Sequence, residues 1–108
     1  METRVKINDS FLDEYLQCLK ERFGSHLVKV ILYGSRARGD YQKASDYDLI
    51  IILDKITKDT YDKLDEISGE FLYKYGVIFS ALVVTDEEYK KQTYNPLFMN
   101  IRKEGITL

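Results

Sequence analysis

Residues 28–53 read VKVILYGSRARGDYQKASDYDLIIIL. This stretch predicts a strand over 27–33, a tight turn at Gly34-Ser35, and a short helix or loop. A second strand follows, opening with Asp46 and Asp48 and running through Leu49, Ile50, Ile51, Ile52 and Leu53. Glycine lacks a Cβ and permits a sharp turn. The second run is apolar on both faces, as expected of a central strand buried on both sides. The pattern is Gly-Ser, ten residues, then Asp-x-Asp.

Residues i and i+2 of a strand share a face, so Asp46 and Asp48 are expected side by side with Tyr47 opposite. Two such carboxylates repel unless something neutralises them. A hard divalent cation does so, and Mg²⁺ keeps room for water and substrate phosphates among its ligands. The Gly34-Ser35 turn suits those phosphates. Gly34 admits close approach to the backbone, and Ser35 offers an N–H and a hydroxyl. A helix starting near residue 35 would add free N–H groups. Arg36 and Arg38 supply positive charge in a form suited to phosphate. For one phosphate chain to reach both ends, the two strands must be antiparallel neighbours.

Gly34, Ser35, Arg38, Gly39, Asp40, Asp46 and Asp48 fix seven residues over fifteen positions. This pattern, G-S-x-x-R-G-D followed by D-x-D, resembles the DNA polymerase β-like nucleotidyltransferase superfamily and, within it, the minimal nucleotidyltransferase (MNT) group. The resemblance covers nearly the whole chain. It implies Mg²⁺-dependent transfer of a nucleoside monophosphate from ATP or another NTP. Asp46 and Asp48 would be the catalytic metal ligands, Gly34 and Ser35 the phosphate site, and Arg36 or Arg38 the charge beside departing pyrophosphate. Asp40 is expected to orient Arg38 or end the helix. The resemblance also implies a HEPN-type helical protein as partner, with this chain as the antitoxin that adenylylates it. The alternative is a catalytically weak nucleotide-binding module that neutralises its partner by contact. A standalone enzyme acting on a small molecule ranks below both. One departure matters. Many members carry a third carboxylate on the third strand, here expected over 77–84, where Ser80 is the only polar residue.

The chain has 108 residues, 44% hydrophobic, which is one domain's worth of core. A net charge of −2 and a pI near 5.4 give no basic field for nucleic acid. Cys18 is the only cysteine and His26 the only histidine. No internal disulfide is possible, a zinc site has nothing to build on, and a reduced, cytoplasmic setting is expected. The first ten residues lack a signal-peptide core, and no apolar run approaches ~20 residues, so no membrane span is expected.

The rest of the chain supplies helices. After a lead-in over 2–8, Ser10 with Asp13 reads as a capping box, or Asp9 as the cap, opening a helix over 10–23 closed by Gly24. Thr57 or Asp59 caps a second helix. Its apolar face is expected to be Tyr61, Leu64, Ile67, Phe71, Leu72 and Tyr75, with Gly76 closing it. Thr85 with Glu88 caps a short helix over 86–92. Asn95 and Pro96 start a last one that Gly105 ends. The nine tyrosines are expected mostly at the edges of the core. The apolar tail, residues 106–108, is expected either on its own domain or on a partner. The predicted fold is α/β of the α+β type: a nucleotidyltransferase fold with a three-stranded mixed sheet, order 1-2-3, and helices packed on it.

Overall fold

The computed structural model describes residues 9–108 throughout, together with the backbone of Thr3–Arg4. The lead-in expected over 2–8 otherwise lies outside the described residues. The strands are β1 (Thr3–Arg4), β2 (Leu27–Tyr33), β3 (Tyr47–Leu53), β4 (Phe79–Thr85) and β5 (Ile106–Thr107). The helices are α1 (Ser10–Phe23), α2 (Ser35–Arg38), α3 (Thr60–Tyr75), α4 (Asp86–Lys91) and α5 (Pro96–Glu104), with a 3-10 turn at Gly24–His26.

The sheet runs β1-β5-β2-β3-β4. Its main body, β2-β3-β4, is the expected trio in the expected order. β2 and β3 are antiparallel, with Tyr33 opposite Asp48. β3 and β4 are parallel, with Asp48 opposite Ser80 and Tyr47 opposite Phe79. Two short strands extend the sheet beyond the three expected. The tail decides this: Ile106 and Thr107 pair with β2, and Leu108 donates its N–H to Val30 O at 2.9 Å. The apolar tail therefore packs on its own domain.

Helices cover both faces. Leu12, Tyr15, Leu19 and Phe23 of α1 and Leu64, Ile67 and Phe71 of α3 pack on the face carrying Leu32, Leu49, Ile51, Leu53 and Phe79. Tyr89 of α4 and Phe98 and Ile101 of α5 pack on Ile31, Ile50 and Ile52 of the other. β3 is thus buried from Leu49 to Leu53 on both sides. Each such side chain contributes roughly 1.5–3 kcal/mol relative to exposure, which favours the all-apolar strand at the centre.

Several boundaries differ from expectation. β3 starts at Tyr47, so Asp46 stands just before the ladder. β4 covers Phe79–Thr85, two residues later than expected at its start. Asp9, not Ser10, caps α1: its carboxylate accepts the Leu12 N–H at 3.1 Å. On α3 the buried stripe is Thr60, Leu64, Ile67 and Phe71, whereas Tyr61, Leu72 and Tyr75 face out. One sheet face shared with α1 leaves α3 only a narrow contact. Tyr75 instead lies against Phe11 and donates to Glu14. Of the nine tyrosines, Tyr73 and Tyr94 are almost fully exposed, Tyr41, Tyr61 and Tyr75 are about half exposed, and the other four are buried or half-buried. Burial pushes the half-buried Cys18 thiol up in pKa, with nearby Glu21 adding to the shift, which disfavours the thiolate. His26 lies at the far end of the sheet and pairs with Asp54 at 3.0 Å.

Candidate active site

β2 and β3 are antiparallel, so the end of β2 and the start of β3 lie at one edge of the sheet. The chain leaves β2 through Gly34, which has φ 75° and ψ −159°. That region is essentially restricted to glycine. Space demands glycine as well: a Cβ there would lie 2.5 Å from Asp48 Oδ2. The glycine turn and the Asp48 carboxylate are thus packed against each other and form one site.

α2 is a single turn, too short for an appreciable macrodipole. Its first internal bonds run from the Ala37 and Arg38 N–H groups to Gly34 O, at 3.1 and 3.0 Å. The N–H groups of Ser35 and Arg36 precede those bonds and, by helix geometry, have no partner inside the turn. They are the donors this turn can offer an anion.

Asp48 is half-buried on the sheet face that carries α4 and α5. Its pKa is raised, first by burial and then by the neighbouring Asp46, with Arg38 pulling the other way. Two neighbouring carboxylates, beside a turn with free N–H groups, suit a hard divalent cation together with phosphate oxygens. Among the described residues no group of three His, Cys, Asp or Glu side chains could hold a metal ion, so the protein's share would be these two.

Arg38 lies on this side of the turn. It donates Nε–H to Asp40 Oδ2 at 3.2 Å and an Nη1–H to Glu104 Oε1 at 3.1 Å. Of the two roles considered for Asp40, orienting Arg38 is therefore the one seen. Two of five guanidinium donors are spent, and the remaining three can meet an anion. Glu104 comes from the last turn of α5, 66 residues away, and nothing in the local sequence marks it. Tyr33 is a second residue the sequence did not single out. It sits opposite Asp48, and burial and then the Asp48 charge raise its pKa, so its hydroxyl stays a donor. Ser80 completes a straight row across three strands, Tyr33–Asp48–Ser80.

Arg36 is placed differently from Arg38. It donates to Ser45 O and Lys43 O, both at 3.1 Å, and its guanidinium lies 4.0 Å from the Tyr47 ring centre and 4.5 Å from that of Tyr41. Tyr47 belongs to the face opposite Asp48. The acids after β4 are also remote. Asp86 is six residues beyond Ser80, roughly 20 Å along a strand. Asp86 and Glu87 pair with Lys90 and Lys91. They cannot stand in for a carboxylate opposite Asp48.

Comparison with known proteins bears on this arrangement. Residues 12–103 match the family described as "Nucleotidyltransferase domain". Two similar proteins of Methanocaldococcus jannaschii carry the name "Putative protein adenylyltransferase". One, MJ1305, is 37% identical over 99 residues, covering 89% of this chain and 67% of its own length. The other, MJ0604, is 33% identical over 97 residues, covering 90% and 93%. A crystal structure described as "the toxin-antitoxin with AMP-PNP" superposes with a TM-score of 0.61 at 13% identity, over 88% of this chain and 70% of that one. A variant of the toxin-antitoxin MntA-HpeT gives 0.62 at 16% identity, over 95% and 72%. At such identities the structures show a shared fold. No helix of the described residues is long and apolar enough to cross a membrane.

Proposed function

The chain belongs to the nucleotidyltransferase domain family and is a nucleotidyltransferase by that membership, and from this premise we propose that it transfers AMP from ATP to a hydroxyl of a protein acceptor, with Asp46 and Asp48 holding Mg²⁺. The observation that carries the proposal is the fit of Gly34 against Asp48, which makes the phosphate-binding turn and the metal-binding carboxylate a single site. The names of the two archaeal relatives support a protein acceptor.

In the transfer, an acceptor oxygen bonds to the α-phosphorus, the bond from that phosphorus to the bridging oxygen breaks, and pyrophosphate leaves with the electron pair. The acceptor proton passes to solvent. Bound Mg²⁺ supplies positive charge to the attacking and leaving oxygens. The Ser35 and Arg36 N–H groups and the Ser35 hydroxyl hold terminal phosphate oxygens. The free donors of Arg38, steadied by Asp40 and Glu104, face the charge that builds on pyrophosphate. Tyr33 can add one hydroxyl donor beside Asp48.

The partner belongs to the same proposal: a helical protein of the HEPN type, for which this chain acts as antitoxin. Tyr73 and Leu72 on α3, and Met99 and Leu97 on α5 with Tyr94 just before it, are exposed apolar surface of the kind protein partners cover. The test is to incubate the protein with ATP labelled at the α-phosphate, Mg²⁺ and a co-expressed HEPN-type protein. Label is expected on that protein and not when Asp48→Asn replaces the parent. No label, with no Mg²⁺-dependent ATP binding by calorimetry, overturns the reading.

The second reading, a weak binding module, draws on one observation: the residue opposite Asp48 on β4 is Ser80, which brings no charge. Ser80→Asp is therefore expected to raise transfer by about ten-fold, since an added carboxylate would help hold the cation and take the acceptor proton. Ser80 is exposed, so the substitution should fold. Phe79→Asp cannot serve, because Phe79 stacks 3.9 Å from Tyr15 and 4.6 Å from Tyr47 between ring centres. It should destabilise the fold by roughly 3–5 kcal/mol. An unchanged rate in Ser80→Asp would mean that two carboxylates suffice.

A further inference from the structure

We propose that the Arg36 side chain is a positioning group, which clamps the residues on both sides of Asp46 and serves the nucleotide site only through that carboxylate. The inference rests on the nucleotidyl-transfer reading above. Asp46 stands just outside the β3 ladder, between the Tyr47 N–H, which bonds Ile78 O at 2.9 Å, and the Ser45 N–H, which bonds Gln42 O at 2.9 Å. Arg36 adds side-chain contacts on both sides of it. It donates Nε–H to the carbonyl of Ser45, the residue before Asp46, at 3.1 Å. Its guanidinium lies 4.0 Å from the ring centre of Tyr47, the residue after. A further bond to Lys43 O at 3.1 Å and the Tyr41 ring at 4.5 Å hold the rest of the loop.

The clamp is itself anchored. The Tyr47 hydroxyl donates to Asp9 Oδ2 at 2.5 Å, and Asp9 also caps α1. Tyr47 stacks on Phe79 in the core. Position i of a strand and position i+1 face opposite ways. A guanidinium lying on Tyr47 is thus turned from the face where Asp48 meets the Gly34 turn, and Arg36 does not reach phosphate there. Lysine cannot replace it. An ammonium is a point charge on a flexible stem, and it cannot bond two carbonyls from a planar fork while stacking between two rings.

The test separates a clamp from a phosphate contact. ATP binding is measured by calorimetry in EDTA and in Mg²⁺, for the parent, Arg36→Lys and Tyr41→Leu, each with and without Asp46→Asn. Tyr41 is about half exposed, so Tyr41→Leu removes one face of the stack without threatening the core. With Asp46 present, Arg36→Lys is expected to weaken Mg²⁺-dependent binding by about ten-fold, the low end for supporting residues at metal sites, and Tyr41→Leu, which keeps both carbonyl bonds, by less, about three-fold. Binding in EDTA should stay the same. With Asp46→Asn in place, each should change binding by less than about two-fold, because the coupling runs through that carboxylate. Equal losses in EDTA, or full losses in the Asp46→Asn background, would overturn the inference. So would unchanged Mg²⁺-dependent binding in both variants. A parent that shows no Mg²⁺-dependent binding would instead overturn the functional reading.

Discussion

Asp48→Asn is expected to lower Mg²⁺-dependent ATP binding by about 100-fold or more while making the ligand-free protein more stable. The first half follows from chemistry. Losing a residue that only supports a metal ligand costs about 10–100-fold, and Asp48 is placed to be a ligand itself. The second half follows from its raised pKa, caused by burial and by Asp46. A carboxyl harder to ionise in the folded state than in the unfolded state works against folding once it is charged. That cost is absent below the ordinary carboxylate range, grows as pH rises through the raised pKa, and is complete at neutral pH. Asn removes it. Because Asp48 is still partly solvated, the gain should be modest, roughly 0.5 kcal/mol, or about 2–4 °C in Tm. Melting curves at pH 7 without ligand should show the variant above the parent, converging as pH falls toward about 4. With Mg²⁺ and ATP the order should reverse, since only the parent is stabilised by binding. A variant less stable than the parent at neutral pH without ligand would contradict the electrostatic account.

Gly34→Ala should damage stability and binding together. Alanine at φ 75° and ψ −159° carries strain on the order of 1–3 kcal/mol. Its Cβ would also lie 2.5 Å from Asp48 Oδ2, so the carboxylate must move from the place where the turn needs it. A total loss of roughly 2–4 kcal/mol is expected, with Mg²⁺-dependent nucleotide binding lost. Gly39→Ala is the control. Gly39 also has a positive φ, 86°, but nothing lies within 4 Å of a Cβ there. It should show backbone strain alone, about 1 kcal/mol, and bind normally. Coupling between Gly34→Ala and Asp48→Gly, read from chemical denaturation, isolates the collision. If the cost of Gly34→Ala is the same with and without the Asp48 side chain, the two residues do not share a site.

The sequence of residues 27–53 was enough to set the centre of the fold. Leu49 to Leu53 allow no solvent-facing side, so that strand must be covered on both faces. The Gly-Ser turn and the Asp pair can meet only if β2 and β3 run antiparallel. The caps at Thr85 and Asn95 were legible because each depends on residues two or three positions apart, and the fold family was legible from a pattern of seven residues over fifteen positions. Side-chain direction at the ends of elements was not legible. Arg36 and Arg38 are two residues apart and equally basic, yet one turns to Tyr47 and the loop before Asp46 and the other to Asp40 and Glu104. What separates them is which face of β3 each meets, and that depends on how a single helical turn sits on the sheet. Glu104 beside Arg38, Ser80 opposite Asp48, and the tail paired with β2 all join residues far apart in the chain. Composition and local spacing determined the strands, the turn and the kinds of groups at the site. Tertiary packing alone decided which arginine faces the carboxylates and which braces the loop, because register and packing across the sheet set contacts that no local pattern encodes.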